Sequence, residues 1–317
     1  MNPHLSFEIL QYRSKFLYSI RNFFHKNGYL EIDTPKLKKV PGMEPYLSPF
    51  QVSSPDFQEK GYLVTSPEYS LKQALGKGLE KIYEISQVYR SGEKGSLHTA
   101  EFLMLEFYSV GIDEFGLMNV CIELFKHLDH SLGIKLFSEN VPKKISMPEL
   151  FQKHLGITDS KKDLLDFLNK NRKGNSEKYE NMRYDELFFL VFLNELEPAL
   201  KGDLIFLYDY PEQLASLAKV IEGRARRFEI YWKGSEIGNA FYECTSQEVM
   251  KKRFVEEQLL RKSLSKEVFE MDTNFMNSLE EGIPESSGIA IGLDRLFMIY
   301  AGHSDLKYLS PYFGSLQ

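Results

Sequence analysis

Arg90, Glu106 and Tyr108 carry the first chemical signal in this chain. They lie in KIYEISQVYRSGEKGSLHTAEFLMLEFY, residues 81–108, where two strand-like runs, Lys81–Arg90 and Glu101–Tyr108, flank a polar loop holding Gly92, Gly95 and Ser96. The spacing predicts a long antiparallel hairpin. Arg90 ends the first strand, and Glu106 and Tyr108 share a face of the second with Phe102 and Met104, because side chains of equal parity point the same way. A cation and a carboxylate on neighbouring strands make either a structural ion pair or the floor of a pocket that grips a charged ligand.

Three further clusters join this one. In TSPEY, residues 65–69, Ser66, Pro67 and Glu68 read as a helix start, with a capping hydroxyl, a proline in the first turn and an acid at the positive dipole end. The same arrangement sets Glu68 at the end of a strand, where small ligands bind. In GSEIGNAFYE, residues 234–243, Glu236, Asn239 and Glu243 stand among small and aromatic residues, and Glu229 precedes them in the strand candidate Arg224–Trp232. Glu229 and Glu236 together have the oxygen chemistry of a hard-cation site, or are scattered surface acids. In GIAIGLDRLFMIYAG, residues 288–302, a glycine-rich strand turns into an apolar helix at Asp294 and Arg295. Such a strand admits the close approach of a ligand's rings or phosphates, or serves tight sheet packing.

The elements that position these residues follow from periodicity. Ile9, Phe16, Leu17, Ile20, Phe23 and Phe24 predict an opening helix over 5–26 with Gly28 beyond its end. Tyr29–Ile32 is a short strand candidate before Thr34 and Pro35, suited to an edge or a subunit contact, and the proline-rich stretch to Phe50 reads as an ordered loop. A strand is expected at Gly61–Thr65, helices at Glu114–Leu132, Met147–His154, Lys162–Leu168, Tyr184–Leu196 and Gln247–Arg261, and a strand at Leu204–Tyr208. The segment NKNRKGNSEKYE, residues 169–180, reads as a solvated loop.

Composition bounds the function. With 317 residues, 43% of them hydrophobic and 14% aromatic, the chain buries a sizeable core. A net charge of −6 and a pI of about 5.8 give no general electrostatic attraction to nucleic acid. Cys121 and Cys244 lack metal or redox spacing, the N-terminus has no leader pattern, and no run is long enough to span a membrane, so a cytoplasmic protein is expected.

Together the clusters resemble the three signature motifs of class II aminoacyl-tRNA synthetases, and within them the lysyl branch. The opening helix through Pro35 stands for the first motif, residues 89–108 for the second and 288–295 for the third; TSPEY and Glu236–Glu243 match lysyl-specific elements. The resemblance implies an α+β fold, a mainly antiparallel sheet flanked by helices, with a helical insertion at about 142–203 and a homodimer interface at the first motif. The first motif starts so early that no anticodon-binding domain is expected to precede it. That makes the chain most similar to the freestanding branch that ligates (R)-β-lysine to elongation factor P.

In that branch ATP and Mg²⁺ are implied, with Arg90 and Arg295 as the catalytic arginines on the α- and γ-phosphates. Arginine's planar, permanently charged fork suits both places. Ser91, Gly92, His98, Thr99, Phe102, Ile237 and Gly292 complete the implied nucleotide site, and Glu229 and Glu236 the implied metal site. For the amino acid, Ser66, Pro67 and Glu68 are implied at the backbone-type amine, Asn239 near the carboxylate, and Glu106, Tyr108 and Glu243 around the distal ammonium. A truncated lysyl paralogue activating lysine for tRNA or a small acceptor is the competing reading, with a non-enzymatic binding protein behind it.

The chain departs from the motifs at three points. Ser91 and Gly92 follow Arg90 where the motif has a glutamate two places on, leaving Glu93 one place late; loss of that charged hydrogen bond would weaken ATP binding about ten- to a hundredfold. Thr99 and Ala100 replace the usual Asn and Pro. Ala290 stands where lysyl-tRNA synthetases have glycine and the β-lysine ligases have alanine, which implies a β-lysine preference.

Overall fold

The computed structural model describes residue 2 and residues 4–171 and 176–313. Ser6 caps helix α1 (Phe7–Lys26), accepting from the Ile9 N–H at 3.3 Å, and Phe16, Ile20, Phe23 and Phe24 form its buried face. Asn27 closes the helix and Gly28 turns away with φ +77°, a left-handed conformation that glycine adopts freely. The expected strand after it shrinks to β1 (Leu30–Glu31). A small sheet follows, built of β2 (Leu37–Lys38), β3 (Gln51–Ser54) and β4 (Phe57–Leu63) in the order β2-β4-β3.

Helix α2 (Glu68–Gly76) leads into β5 (Lys81–Tyr89) and β6 (Glu101–Val110), the expected hairpin. Next come α3 (Glu114–Leu132), β7 (Lys143–Ser146) and four helices, α4 (Met147–Leu155), α5 (Lys161–Asn171), α6 (Ser176–Glu180) and α7 (Tyr184–Val191). The last continues as a π-helical turn over Phe192–Leu196. Strands β8 (Leu204–Pro211), β9 (Val220–Ile221), β10 (Arg224–Trp232) and β11 (Ser235–Tyr242) precede helices α8 (Gln247–Ser263) and α9 (Thr273–Glu281). The chain closes its sheet with β12 (Ser286–Gly292) and runs on into α10 (Leu293–Tyr300).

Among the described residues nine strands form one sheet, in the order β1-β5-β6-β12-β11-β10-β8-β7, with β9 beside β10. The six from β5 to β8 pair antiparallel throughout, and parallel pairing occurs only at the two edges, β1 on β5 and β7 on β8. One face of the sheet, with Leu105, Phe107, Ile289, Ile291, Phe228 and Trp232, packs on α1, α3 and α10. The other carries Tyr108, Tyr231, Phe241 and Leu207 towards α2, α4, α5, α7, α8 and α9. The alternation read in β6 is therefore a division of labour: odd residues feed a core, and even ones face the opposite layer.

Two local expectations change. Pro67, not Ser66, takes the N-cap position of α2, and no side chain caps the helix: Ser66 lies one residue too early. The polar run over 169–180 is not one loop, since α5 extends to Asn171 and α6 begins at Ser176, while residues 172–175 lie outside the described part.

Candidate active site

Three central strands make a floor. Cross-strand register sets Met104 opposite Gly292, Glu106 opposite Ala290 and Tyr108 opposite Gly288, and on the other side of β12 Asn239 faces Ala290 and Phe241 faces Gly288. A cavity of about 340 Å³ opens over this grid. Arg90, Glu93, Leu97, His98, Thr99, Phe102 and Arg295 border it, as do Glu44, Ser66, Glu68, Tyr69, Ser216, Leu217, Glu236 and Glu257.

The two glycines of β12 do different work. A Cβ on Gly288 would lie 2.1 Å from the Tyr108 ring, so glycine here lets that ring lie flat across the neighbouring strand. A Cβ on Gly292 would meet nothing within 4 Å. Only the second leaves room for a ligand.

Arg90 and Arg295 are both held from behind. The Arg90 guanidinium lies 5.1 Å from the centre of the Phe102 ring, its Nε donates to the Thr65 carbonyl at 3.4 Å, and its Nη1 is 3.7 Å from Glu93 Oε1. Glu93, the acid displaced by one place, thus reaches the cavity beside Arg90, helped by Gly92 at φ +86°. Arg295 donates to the carbonyls of Leu97 at 3.1 Å and Glu236 at 2.9 Å. Its neighbour Asp294 is buried and ties α10 to two other elements, accepting from the Leu103 N–H at 2.7 Å and pairing with Arg13 of α1 at 2.8 Å. His98 sits between the arginines; burial first, then Arg295 and Arg90, push its imidazole below the usual range, with Glu93 pulling the other way. Fixed cations beside a neutral ring form an anion-binding end.

The opposite chemistry faces them. Glu106 does not pair with Arg90: across the hairpin it stands opposite Glu84, which binds Lys36 and accepts from Thr34 Oγ1 at 2.8 Å. Glu106 is 1% exposed, accepts from the Tyr108 hydroxyl at 3.0 Å and leaves Oε1 without a hydrogen-bond partner among the described residues. Burial and the nearby Glu68 raise its carboxyl well above the usual carboxylate range, against the pull of Tyr108 and Lys72. Lys72, one helical turn after Glu68, is buried with Nζ 2.7 Å from Glu68 Oε1 and 2.6 Å from Glu243 Oε2. Burial alone would lower its ammonium; Glu243 and Glu68 outweigh that and hold it above the ordinary lysine value. Glu243 therefore stands behind Lys72 and not on the cavity wall. Glu44 and Glu257 add two more acids, both raised chiefly by burial, Glu257 to about 8.

Of the expected metal pair, Glu236 borders the cavity, and burial and Glu229 raise its carboxyl to about 7 against Arg295, Arg227 and Arg90. Glu229 is one layer back, with both oxygens engaged: Oε1 accepts from Arg227 Nη2 at 2.6 Å, and Oε2 from the hydroxyls of Tyr210 at 2.7 Å and Tyr231 at 3.0 Å. Among the described residues no group of three or more His, Cys, Asp or Glu side chains is placed to hold a metal ion. A divalent cation at Glu236 must therefore find most of its ligands on a bound phosphate or water, which is how Mg²⁺ is ordinarily held in nucleotide sites.

Thus Arg90, His98, Thr99, Phe102, Glu236, Ile237, Gly292 and Arg295 come together with Ser66, Glu68, Glu106, Tyr108, Asn239 and Ala290 around one cavity. Pro67, Ser91, Gly92, Glu229 and Glu243 are not on its wall. Lys72 and Arg227 escaped sequence reasoning although each had a signal there, Lys72 four residues after Glu68 and Arg227 two before Glu229. Glu44, in a proline-rich loop, and Glu257, one acid among many on a charged helix, had none.

A profile of class II tRNA synthetases (D, K and N) matches residues 2–313. The elongation factor P–(R)-β-lysine ligase of Histophilus somni (strain 2336) is 32% identical over 313 residues, 96% of this chain and 94% of that protein. That of Buchnera aphidicola subsp. Baizongia pistaciae (strain Bp) is 36% identical, covering 92% of this chain and 90% of its own length. A protein of Aquifex aeolicus (strain VF5) named as a homologue of the same ligase is 35% identical, covering 92% and 94%. The chain belongs to the class II tRNA synthetase (D, K and N) family, in the group of these β-lysine ligase relatives.

Proposed function

We propose that the protein activates (R)-β-lysine, or lysine, with ATP and transfers it to a lysine side chain of elongation factor P. The observation that carries this reading is a cavity with fixed arginines on one side and buried carboxylates on the other, which complements a phosphate ester joined to a diamino acid. The substrate carboxylate attacks the α-phosphorus and pyrophosphate leaves, giving a mixed anhydride. The acceptor amine then attacks the acyl carbon, the acyl–phosphate bond breaks and AMP departs.

Arg90 and Arg295 neutralise charge on the α- and γ-phosphates, a role that requires positioning more than proton transfer. Phe102 and His98 border the nucleotide, Glu68 holds the backbone-side amine, and Glu106 with Tyr108 takes the distal ammonium. Mg²⁺ on Glu236 and the phosphates would supply further neutralisation at the leaving group. We read residues 1–317 as one catalytic domain with a helical insertion over 142–203, acting in the cytoplasm without tRNA. A homodimer through α1 and β1 is supported by the large apolar side chains exposed there, Phe7 at 69%, Tyr18 at 68% and Leu30 at 52%.

Mass spectrometry of elongation factor P incubated with the protein, ATP, Mg²⁺ and either lysine isomer tests the reading. A mass gain of one lysyl residue is expected, on a larger fraction of the factor with (R)-β-lysine. No gain with either isomer, together with charging of tRNA, would establish the truncated lysyl paralogue in its place.

A further inference from the structure

Asn239 reaches the cavity, and its amide is oriented from behind. Arg227, 7% exposed, donates through Nη2 to Asn239 Oδ1 at 2.8 Å and to Glu229 Oε1 at 2.6 Å, and through Nη1 to the Leu214 carbonyl at 2.8 Å. A guanidinium has donors and no acceptor, so the amide atom facing it must be the oxygen. The amide NH₂ is then turned away from Arg227, and among the described residues no protein acceptor takes it. Two N–H donors at the wall of a cavity recognise an acceptor, such as a carboxylate.

Arg227 has little freedom to turn. Its guanidinium lies 4.5 Å from the centre of the Tyr210 ring and 5.3 Å from that of Phe241, and Glu229, which fixes its Nη2, is itself fixed by the two tyrosine hydroxyls. We propose that Arg227 is a positioning residue for amino-acid recognition: it locks Asn239 as a donor to the substrate carboxylate, and Glu229 acts through Arg227. The proposal rests on the amino-acid reading of the cavity. It gives Glu229 a role that involves no contact with a metal or the substrate.

The test compares ligands with and without a carboxylate. Binding of lysine and of 1,5-diaminopentane, which keeps both ammonium groups and lacks the carboxylate, is measured by calorimetry, alongside amino-acid-dependent pyrophosphate exchange. Arg227→Lys keeps the charge and loses the fork. It should weaken lysine binding, and raise its KM, by about ten- to a hundredfold, as expected for one hydrogen bond to a charged group, while leaving diamine binding unchanged. Asn239→Ala should show the same loss, and the double variant no further loss, because the two residues act as one device.

Asn239→Asp, which leaves Arg227 untouched, should weaken lysine binding and tighten that of the diamine. Equal losses for both ligands in Arg227→Lys, additive losses in the double variant, or an Asn239→Asp protein that binds lysine as the wild type does would overturn the proposal. A wild type that binds lysine without exchanging pyrophosphate would sink the reaction reading and leave this inference standing.

Discussion

Replacing Lys72 by Met tests how the acidic wall is held. Lys72 is 3% exposed, with Nζ 2.7 Å from Glu68 Oε1 and 2.6 Å from Glu243 Oε2. Methionine keeps much of the length and removes the charge. The Glu68 side chain is 13% exposed and borders the cavity, where water can replace Lys72; that of Glu243 is 3% exposed and away from the cavity. The uncompensated group is therefore Glu243, and where it is ionised, stripping one partner from the buried pair costs about 3 to 5 kcal/mol. That is a large share of a domain stability of about 5 to 15 kcal/mol.

The pH dependence has a definite sign. Burial lifts the Glu243 carboxyl from 4.5 to about 8, against the pull of Lys72 and with a further push from Glu68. A carboxyl raised by folding holds a proton that the unfolded chain releases. Its stabilisation is complete below the unfolded value and is lost as pH climbs towards 8, by up to about 1.4 kcal/mol per pH unit. Without Lys72 the carboxyl rises further, so the variant goes on losing stability above pH 8 where the wild type levels off. Urea unfolding at about pH 5, 7 and 9 should therefore show a deficit that is smallest at the acid end and widest at the alkaline end. A deficit equal at all three values, or a variant as stable as the wild type at pH 9, would refute the reasoning.

Other outcomes follow from the floor of the cavity. Gly288→Ala drives a methyl into the Tyr108 ring and should cost about 1 to 3 kcal/mol in thermal or urea unfolding, whereas Gly292→Ala meets open space and should spare stability while raising the KM for ATP. Ala290 stands between Glu106 and Asn239 in the cross-strand register; Ala290→Gly should shift activation towards α-lysine by about tenfold or more in pyrophosphate exchange, and unchanged α-lysine activation would count against it. Burial and Glu68 hold the Glu106 carboxyl well above the usual range, and an ammonium seated against it favours the ionised form. Amine binding should therefore release a proton and strengthen as pH rises, visible as a calorimetric enthalpy that varies with the buffer and ceases to vary in Glu106→Gln. Buffer-independent enthalpy in the wild type would show that Glu106 binds its ligand already ionised.

Much of this site was legible because strands have a period of two. Once Glu106 and Tyr108 share a face with Met104, one pairing register fixes Gly288, Ala290 and Gly292 in the floor of the same cavity, and the next brings Asn239 and Phe241. Helix α2 was legible as a start but not as a charge relay, although Lys72 lies at the four-residue spacing that brings helical side chains together. Period says nothing about loops and crossings. Glu44 and Glu257 meet at the cavity only because the segment before β3 and helix α8 converge there, a tertiary fact with no local trace. The short β7, paired parallel with β8 at the sheet edge, and helix α9 were missed for a related reason: each is defined by what it packs against.

The glycines of β12 show where pattern stops being enough. As sequence, Gly288 and Gly292 are equivalent, each compatible with a ligand or with close packing. The structure separates them by the neighbour that a Cβ would meet, an aromatic ring 2.1 Å away for one and nothing within 4 Å for the other. Glu229 and Glu236 separate in the same way. Both are acids on adjacent strands, and the register shift between Ile230 and Tyr231 sets Glu236 opposite Tyr231, on the face that Glu229 shares with Asn239; they differ in their partners, two tyrosines and Arg227 for Glu229 and the cavity for Glu236. The partners each carboxylate meets, more than its place in the strand, thus separate two acids that the sequence leaves alike.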